Sequence, residues 1–410
     1  MASTIDLYEA LRRVLGAPCG RLQTEIVSLE QARGRRLAQA VATDGPWPAT
    51  DRSAMDGFAV VAGQGLPAGA QLSVIGESLA GAPFLGAIHA GCAIRIMTGA
   101  VVPHGADSVV PVEQTSGFAG DQVTMNAAVR TGQNIRRLGS EAVAGQLVMA
   151  QGSRIRAAEI GALAVLGRTK VEVFARPRVA IVATGDEVVP VSATPLPYQV
   201  RDSNSWALAA QIEECGGEAL RHGVAPDERE ALRRTLEGAL ETADLVLTIG
   251  GISKGTHDLV HDTLAKLGVA TDFHGIHLKP GKPTYFGSRE CGGKRTFVFG
   301  LPGNPASSFT VFDLLVRPLL LRLQGAAPRP WSERAALRGS FRDNARLQAT
   351  PARLFSEGTT RIAELLPPSP SGDPFSLVAG TCYALLPAGS KPGELREATV
   401  VGYSCGTDDA

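Results

Sequence analysis

The stretch HLKPGKPTYFG at residues 277–287 holds two lysines, Lys279 and Lys282, three apart and each followed by proline. Proline fixes its own φ and biases its predecessor toward extended backbone, so both ammonium groups rise from stiffened chain. Lysine is ordinarily a solvated surface charge. A rigid pair of them is a receptor for a small anion. Three other loops carry related chemistry. Thr184-Gly185-Asp186-Glu187 follows the apolar run RVAIVA. Gly250-Gly251-Ile252-Ser253-Lys254-Gly255-Thr256-His257-Asp258 follows ADLVLTI. Leu301-Pro302-Gly303-Asn304-Pro305-Ala306-Ser307-Ser308 follows FVFG and precedes an apolar helical pattern. Glycine lets backbone N–H groups approach an anion closely, and a helix N-terminus adds a favourable dipole for phosphate. The carboxylates Glu187 and Asp258 are hard oxygen ligands of the kind that hold Mg²⁺ beside a phosphate. Together the four loops indicate an anion-handling site for a phosphorylated or nucleotide-bearing substrate with Mg²⁺. They do not choose the reaction.

The elements that must position these loops are legible in the pattern of residues 178–325. Buried strand runs alternate with amphipathic helices: RVAIVATGDEV, then SNSWALAAQIEECGG, EALRHGVAP, a helix over 227–240 starting at Asp227, ADLVLTIGG, and THDLVHDTLAKLG. Such alternation predicts a doubly wound α/β domain with a mainly parallel sheet, whose ligand lies beyond the C-terminal strand ends. Upstream, residues 5–15 place Leu7, Ala10, Leu11, Val14 and Leu15 on one helical face, and residues 22–41 read as a short strand and an amphipathic helix. From 58 to about 140, FAVVA, QLSVIG, CAIRIM, SVVPVE and DQVTMN form short runs between Gly and Pro turns, the habit of a small all-β module. Helix-plus-strand character returns over 141–176. The expected organisation is therefore a discontinuous α+β domain (1–45 and 141–176), an inserted β module (46–140), the α/β domain (177–326), and a C-terminal β barrel or sandwich (327–410) after the linker GAAPRPW.

Forty Lys and Arg balance forty Asp and Glu, so no global field points to nucleic acid or an anionic membrane, and charge selectivity must be local. The six cysteines are scattered without a CxxC pair, which argues against a zinc site or disulfide framework and for a reducing compartment. His257 and His261, four apart, read as surface or supporting residues. No signal-peptide pattern opens the chain, and Asp313, Arg317 and Pro318 interrupt its most apolar stretch. A cytoplasmic protein is expected.

DRSAMDGFAV, RIMTGA, VATGDEV, RDSNSWAL, GGISKGTHD, HLKPGKPTYFG and GLPGNPAS occur in one order along nearly the whole chain. In these motifs the sequence resembles the molybdopterin molybdenumtransferases, or molybdenum insertases, which include the E domain of gephyrin. The resemblance implies an elongated homodimer of four-domain subunits, the inserted module of one closing the site of the other. It implies a reaction in which adenylylated molybdopterin and molybdate, with Mg²⁺, give AMP and molybdenum cofactor. Lys279 and Lys282 would then receive molybdate. Thr184, Gly185, Gly250, Gly251, Ser253 and the loop Pro302, Gly303, Asn304, Pro305 would embrace the pterin phosphate and adenylate. Glu187 and Asp258 would hold Mg²⁺ or position the attacking oxygen. Asp56 and Thr98 match positions contributed by the facing module, and Asp202, Ser203 and Asp227 match the rim of the same site. Ser376, in a loosely matching loop of the last domain, would join the molybdate ligands.

The family commonly has serine before the double glycine, where this chain has Ile249, and aspartate where it has Glu141. A basic residue expected near the last loop has Arg361 as its candidate counterpart. Two other readings stand beside the insertase: a scaffold or binding protein that keeps the fold without the chemistry, and an adenylyltransferase acting on molybdopterin. Intact carboxylates and lysines weigh against the scaffold. The flanking domains and KPGKP weigh against the adenylyltransferase. The resemblance further implies receipt of substrate from a molybdopterin adenylyltransferase and delivery of product to molybdoenzymes.

Overall fold

The computed structural model describes residues 4–19, 23–251, 259–327 and 331–403. The chain divides into two compact units, one of residues 1–39, 151–161 and 168–410, the other of 40–150 and 162–167.

The first unit is organised by a six-stranded sheet in the order Glu218–Ala225, Arg178–Thr184, Leu245–Ile249, Lys294–Leu301, Tyr285–Cys291, Ala270–His274. The first four strands are parallel and the last two add antiparallel. Side chains alternate across a strand, and here both faces are covered. Val179, Ile181 and Ala183 pack with Leu208, Ile212 and Val311 on one face. Ala180 and Val182 pack with Leu232, Leu236, Val260 and Leu264 on the other. Apolar residues facing both ways explain why these strands read as unbroken hydrophobic runs, and helical layers on both faces make the domain doubly wound. The helix Leu7–Gly16 joins the first face through Leu7, Ala10 and Val14, with Asp6 accepting a capping hydrogen bond from the Glu9 N–H at 2.9 Å.

At the end of the same unit, five strands close into a barrel: Leu347–Glu357, Thr360–Leu365, Arg334–Arg338, Glu397–Gly402, Cys382–Leu386, and back to the first. Leu278–Lys279 adds parallel to Leu347–Gln348 at this barrel. Only a few residues later, Tyr285 pairs with Gly300 in the α/β sheet. The lysine loop is therefore held from both sides. Lys279 and Pro280 are joined by a cis peptide, and Gly281 has φ +120°. Within the loop the buried Thr284 hydroxyl donates to Gly281 O at 2.6 Å, and the Ile276 N–H donates to Lys282 O at 2.9 Å.

In the second unit the five runs read from sequence are all strands, in the order Ser108–Pro111, Gly57–Val60, Cys92–Ile96, Gln71–Ser78, Gln122–Thr124. Phe58, Val60, Ala93 and Val110 fill one face and Ala59, Ile94, Ile96 and Val109 the other.

Three local expectations are corrected. Residues 22–41 form the strand Thr24–Ser28 but no amphipathic helix, only a single 3-10 turn over Leu29–Gln31. Gly34 at φ +80° breaks the helical path, and the following N–H groups pair outward, Leu37 to Ser153 O and Ala38 to Glu172 O. The helix expected from Asp227 is Arg229–Thr242, with Glu228 at its N-cap and no side-chain capping bond. The helix after Asn304 starts at Pro305 and runs on through a π-turn at Phe312–Val316 into Arg317–Leu323. Pro318 has no N–H for the Leu314 carbonyl and its ring crowds that oxygen, which accounts for the wider turn. Among the described residues no helix is long and apolar enough to cross a membrane.

The Gly281 conformation is demanding, because a Cβ there would lie 2.7 Å from Val311 Cγ2 in addition to the positive φ. Gly281→Ala is expected to lower stability by about 1–3 kcal/mol. Gly161→Ala, in a helix with nothing within 4 Å of the added Cβ, should be neutral or stabilising. Denaturant midpoints of the two variants check this.

Candidate active site

Strand register brings the loops together. Ala183 pairs with Ile249, Ile249 with Leu301, and Tyr285 with Gly300, so all four loops leave one edge of the sheet side by side. With neighbouring strands ~4.8 Å apart, the row from the first loop to the lysine loop is roughly 15 Å long. That edge is the C-terminal end of the parallel strands, where the chain crosses to opposite faces and a crevice opens.

At the centre of the row, Thr184 is buried and its hydroxyl donates to Ile249 O at 3.1 Å. Ile249 itself points into the core, so its carbonyl rather than its side chain serves the turn. Gly250 and Gly251 have φ +84° and +64°, and a Cβ on either would come within 3.2 Å of Thr184 Oγ1. A Cβ on Gly251 would also meet Val260 Cγ2 at 2.5 Å, so the double glycine is required by the fold as well as by any ligand. Gly303 closes on the same point, 3.8 Å from the Gly250 Cα when given a Cβ. The backbone N–H groups of Gly251, Gly303 and Asn304 make no hydrogen bond among the described residues and are donors for anion oxygens.

The helix start at Pro305 differs from the simple phosphate seat that the sequence suggests. Pro305 has no N–H, Ala306 N–H donates to Ser371 O, and the N–H groups of Ser307 and Ser308 donate to Asn304 O. The dipole remains, but its first donors are spent. Asn304 Nδ2 donates to Ser371 Oγ at 2.9 Å, and Asn204 Nδ2 to Gly303 O at 2.7 Å. Asp202 uses its carboxylate on the next helix, accepting from Ser205 N–H at 3.0 Å and from the Ser205 hydroxyl, and Ser203 stands at that helix's N-cap. The RDSN segment and the Pro302–Pro305 loop thus form one wall.

Three carboxylates gather at the other end of the row. Asp186 Oδ1 accepts from Asp227 N–H at 3.2 Å. A Cβ on Gly185 would lie 2.6 Å from Glu187 Oε2, so the Glu187 carboxylate lies over Gly185. Partial burial, then the charges of Asp186 and Glu187, raise the Asp227 carboxyl above its ordinary range. Asp227 thus lies beside Asp186 and Glu187, and Glu228 rather than Asp227 stands at the helix N-cap. Among the described residues no group of three or more Asp, Glu, His or Cys side chains could hold a metal ion. Mg²⁺ characteristically takes one or two carboxylates and completes its shell with water and substrate phosphate, so at this end of the row one or two of these carboxylates would suffice.

Lys279 and Lys282 are exposed at the opposite end and make no ion pair among the described residues. Ser376 sits on the 3-10 turn Phe375–Leu377 and donates to Asp373 O, whereas Ser371 of the same loop meets Asn304. Arg361 is held by Glu333 and Ser356. Ser253, His257 and Asp258 lie outside the described residues. His261 stacks on His274 and meets Tyr285 edge-on. Asp186, Asn204 and Ser371 were not singled out from sequence. The first two stand inside the VATGDEV and RDSNSWAL motifs, but nothing in PSPSGDP marks Ser371.

In the second unit, Asp56 Oδ1 accepts from the Thr98 N–H at 2.6 Å and from its hydroxyl at 2.7 Å. These bonds, the backbone one first, hold the exposed Asp56 carboxyl below its ordinary range. Glu141 pairs with Arg136. Thr98→Val removes only the hydroxyl and should raise the Asp56 pKa part of the way back, a change read directly by NMR titration of its carboxyl carbon.

Residues 5–167 match the model described as MoeA N-terminal region (domain I and II), and residues 180–322 match the probable molybdopterin binding domain. A molybdopterin molybdenumtransferase of Haemophilus influenzae is 36% identical over 303 residues, 74% of each chain. That of Bacillus subtilis is 31% identical over 396 residues, 94% of this chain and 91% of its own. The crystal structure of the molybdopterin biosynthesis moea protein from Pyrococcus horikosii aligns over 98% of this chain and 100% of its own, with TM-score 0.82 and 31% identity. The loops at the sheet edge and the matches on both sides of them agree: the chain belongs to the molybdopterin molybdenumtransferase (MoeA) family, transferases of molybdenum cofactor biosynthesis.

Proposed function

We propose that this transferase cleaves adenylylated molybdopterin, releases AMP, and inserts molybdate into the pterin dithiolene. The observation that carries this reading is the charge separation along one row of strand ends, with carboxylates at one end, glycine-loop donors in the middle and two lysines at the other. A substrate with a phosphoanhydride between nucleotide and pterin is long enough to use the whole row.

In this reading the N–H groups of Gly251, Gly303 and Asn304 take phosphate oxygens, and the wall from Asp202 and Ser203 to Pro305 orients the nucleotide. Glu187, with Asp258 from outside the described residues, would hold Mg²⁺, with Asp186 and Asp227 beside them. When bound, Mg²⁺ supplies charge compensation for the anhydride phosphates. The same carboxylates would orient the oxygen that attacks. Lys279 and Lys282 present two positive charges to the molybdate dianion, with Ser376 in the neighbouring barrel loop as a further donor. Asp56 and Thr98 would act from the second subunit of a homodimer. Substrate would arrive from a molybdopterin adenylyltransferase and product pass to molybdoenzymes, in the cytoplasm.

Purified protein given adenylylated molybdopterin, Mg²⁺ and molybdate should release AMP and yield active cofactor. No molybdate-dependent release would sink the reading. Lys282→Ala should raise the molybdate concentration needed by about tenfold or more, the worth of one charge-assisted hydrogen bond. Its failure to do so would remove Lys282 from the molybdate site.

A second test needs no turnover. Because the Asp227 carboxyl is raised in the folded chain, the folded state holds its proton longer than the unfolded state. Its contribution to stability therefore falls as pH rises from the ordinary carboxylate value through the raised one. Mg²⁺ should lower this pKa and flatten that fall. Stability against pH, with and without Mg²⁺ and in Asp227→Asn, measures it.

A further inference from the structure

The barrel strands Thr360–Leu365 and Cys382–Leu386 are joined by residues 366–381, whose regular element is the 3-10 turn Phe375–Leu377. Irregular loops of this length are uncommon in compact domains and usually serve function. This one starts and ends on the barrel, Leu366 N–H donating to Pro351 O and Thr381 N–H to Ala352 O, both at 2.9 Å. Between those anchors it reaches the Pro302–Pro305 loop. There the Ser371 hydroxyl accepts from Asn304 Nδ2 at 2.9 Å, and the Ser371 carbonyl from Ala306 N–H at 3.1 Å. Leu377 is buried in the core, but Ser369, Pro370, Gly372, Pro374 and Phe375 are exposed. Burial therefore does little to fix the stretch that carries Ser371 and leads to Ser376.

Asp373 fixes it instead. Its Oδ2 accepts from the Ser369 hydroxyl at 2.5 Å and its Oδ1 from the Phe375 N–H at 2.9 Å. Its carbonyl accepts from the Ser376 hydroxyl at 2.9 Å, and its N–H donates to Pro370 O at 3.0 Å. One residue thus ties the chain before Ser371 to the chain that bears Ser376. Hydrogen bonds to an ionised carboxylate are stronger than neutral ones. The Ser369 hydroxyl first, then the Phe375 N–H, hold this carboxyl below its ordinary range. Without the brace, the loop would lose conformational freedom each time a ligand ordered it, at a cost in affinity.

We propose that Asp373 is a positioning residue of this transferase, touching no ligand itself. It holds Ser371 against Asn304 and keeps Ser376 in place, so one brace serves both the phosphate donors of the Gly303–Asn304 turn and the molybdate end. The roles of Asn304 and Ser376 rest on the proposed reaction; the brace does not take part in it.

The test is calorimetric titration of the full chain with AMP and, separately, with molybdate. Asp373→Ala should weaken each by about fivefold, the worth of one hydrogen bond, while Asp373→Asn, which keeps one oxygen acceptor, should stay within about twofold of wild type. Ser369→Ala removes one of the two carboxylate bonds, and should weaken both ligands less than Asp373→Ala does; it keeps the test open if the alanine at 373 fails to fold. Ser371→Ala should also weaken AMP, and combining it with Asp373→Ala should add little, because both changes break the same link. Additive losses would overturn the proposal. So would a lowered denaturant midpoint with both affinities kept, the mark of a merely structural role. Weakened AMP with unchanged molybdate would overturn the shared brace. A wild-type chain that binds neither ligand would overturn this proposal and the proposed reaction together. If wild type binds both and Asp373→Ala changes neither, only the brace fails; if Asp373→Ala weakens both but wild type releases no AMP, only the reaction fails.

Discussion

The backbone ladder between Arg178–Thr184, Leu245–Ile249 and Lys294–Leu301 is the constraint on which the rest depends. Three parallel strands in fixed register must end together, and whatever follows each strand is delivered to the same edge. A slip of one residue would turn Val179, Ile181 and Ala183 from one core to the other, so burial on both faces locks the register. Site geometry is thus a by-product of the most buried part of the molecule. The antiparallel strand Tyr285–Cys291 extends the same logic in reverse, since the loop before it, not after it, arrives at the edge.

Charge is distributed by the same framework. A chain with equal numbers of acids and bases has Asp186, Glu187 and Asp227 at the ends of two adjacent strands and Lys279 and Lys282 at the start of a third. The raised Asp227 carboxyl reflects its partial burial first and that crowding second. Neutrality in composition therefore conceals opposite local charge at the two ends of one row of strand ends.

Much of this was legible from residues. The α/β alternation, the five strands between Gly57 and Thr124 and the placement of loops at strand ends follow from apolar period and glycine placement, and these strands and the described parts of the loops are present. The missed features share a cause. The amphipathic helix expected within 22–41 fails because backbone partners from residues 153 and 172 compete for its N–H groups. The helix expected to start at Asp227 starts at Arg229 instead, because Asp227 meets Asp186, 41 positions away in sequence. Ser371 carries no signal at all, because its importance is one contact with Asn304 across 67 positions.

The sequence by itself determined which elements form and which loops carry donors, carboxylates and lysines, because periodicity, φ preferences and side-chain chemistry are local properties. Tertiary structure decided which of those groups meet. It placed the lysine loop between barrel and sheet, spent the first N–H groups of the Pro305 helix on Ser371 and Asn304, and held Arg361 on Glu333 and Ser356. Those outcomes depend on strand order and register, which arise from long-range pairing and burial that no short stretch of sequence contains.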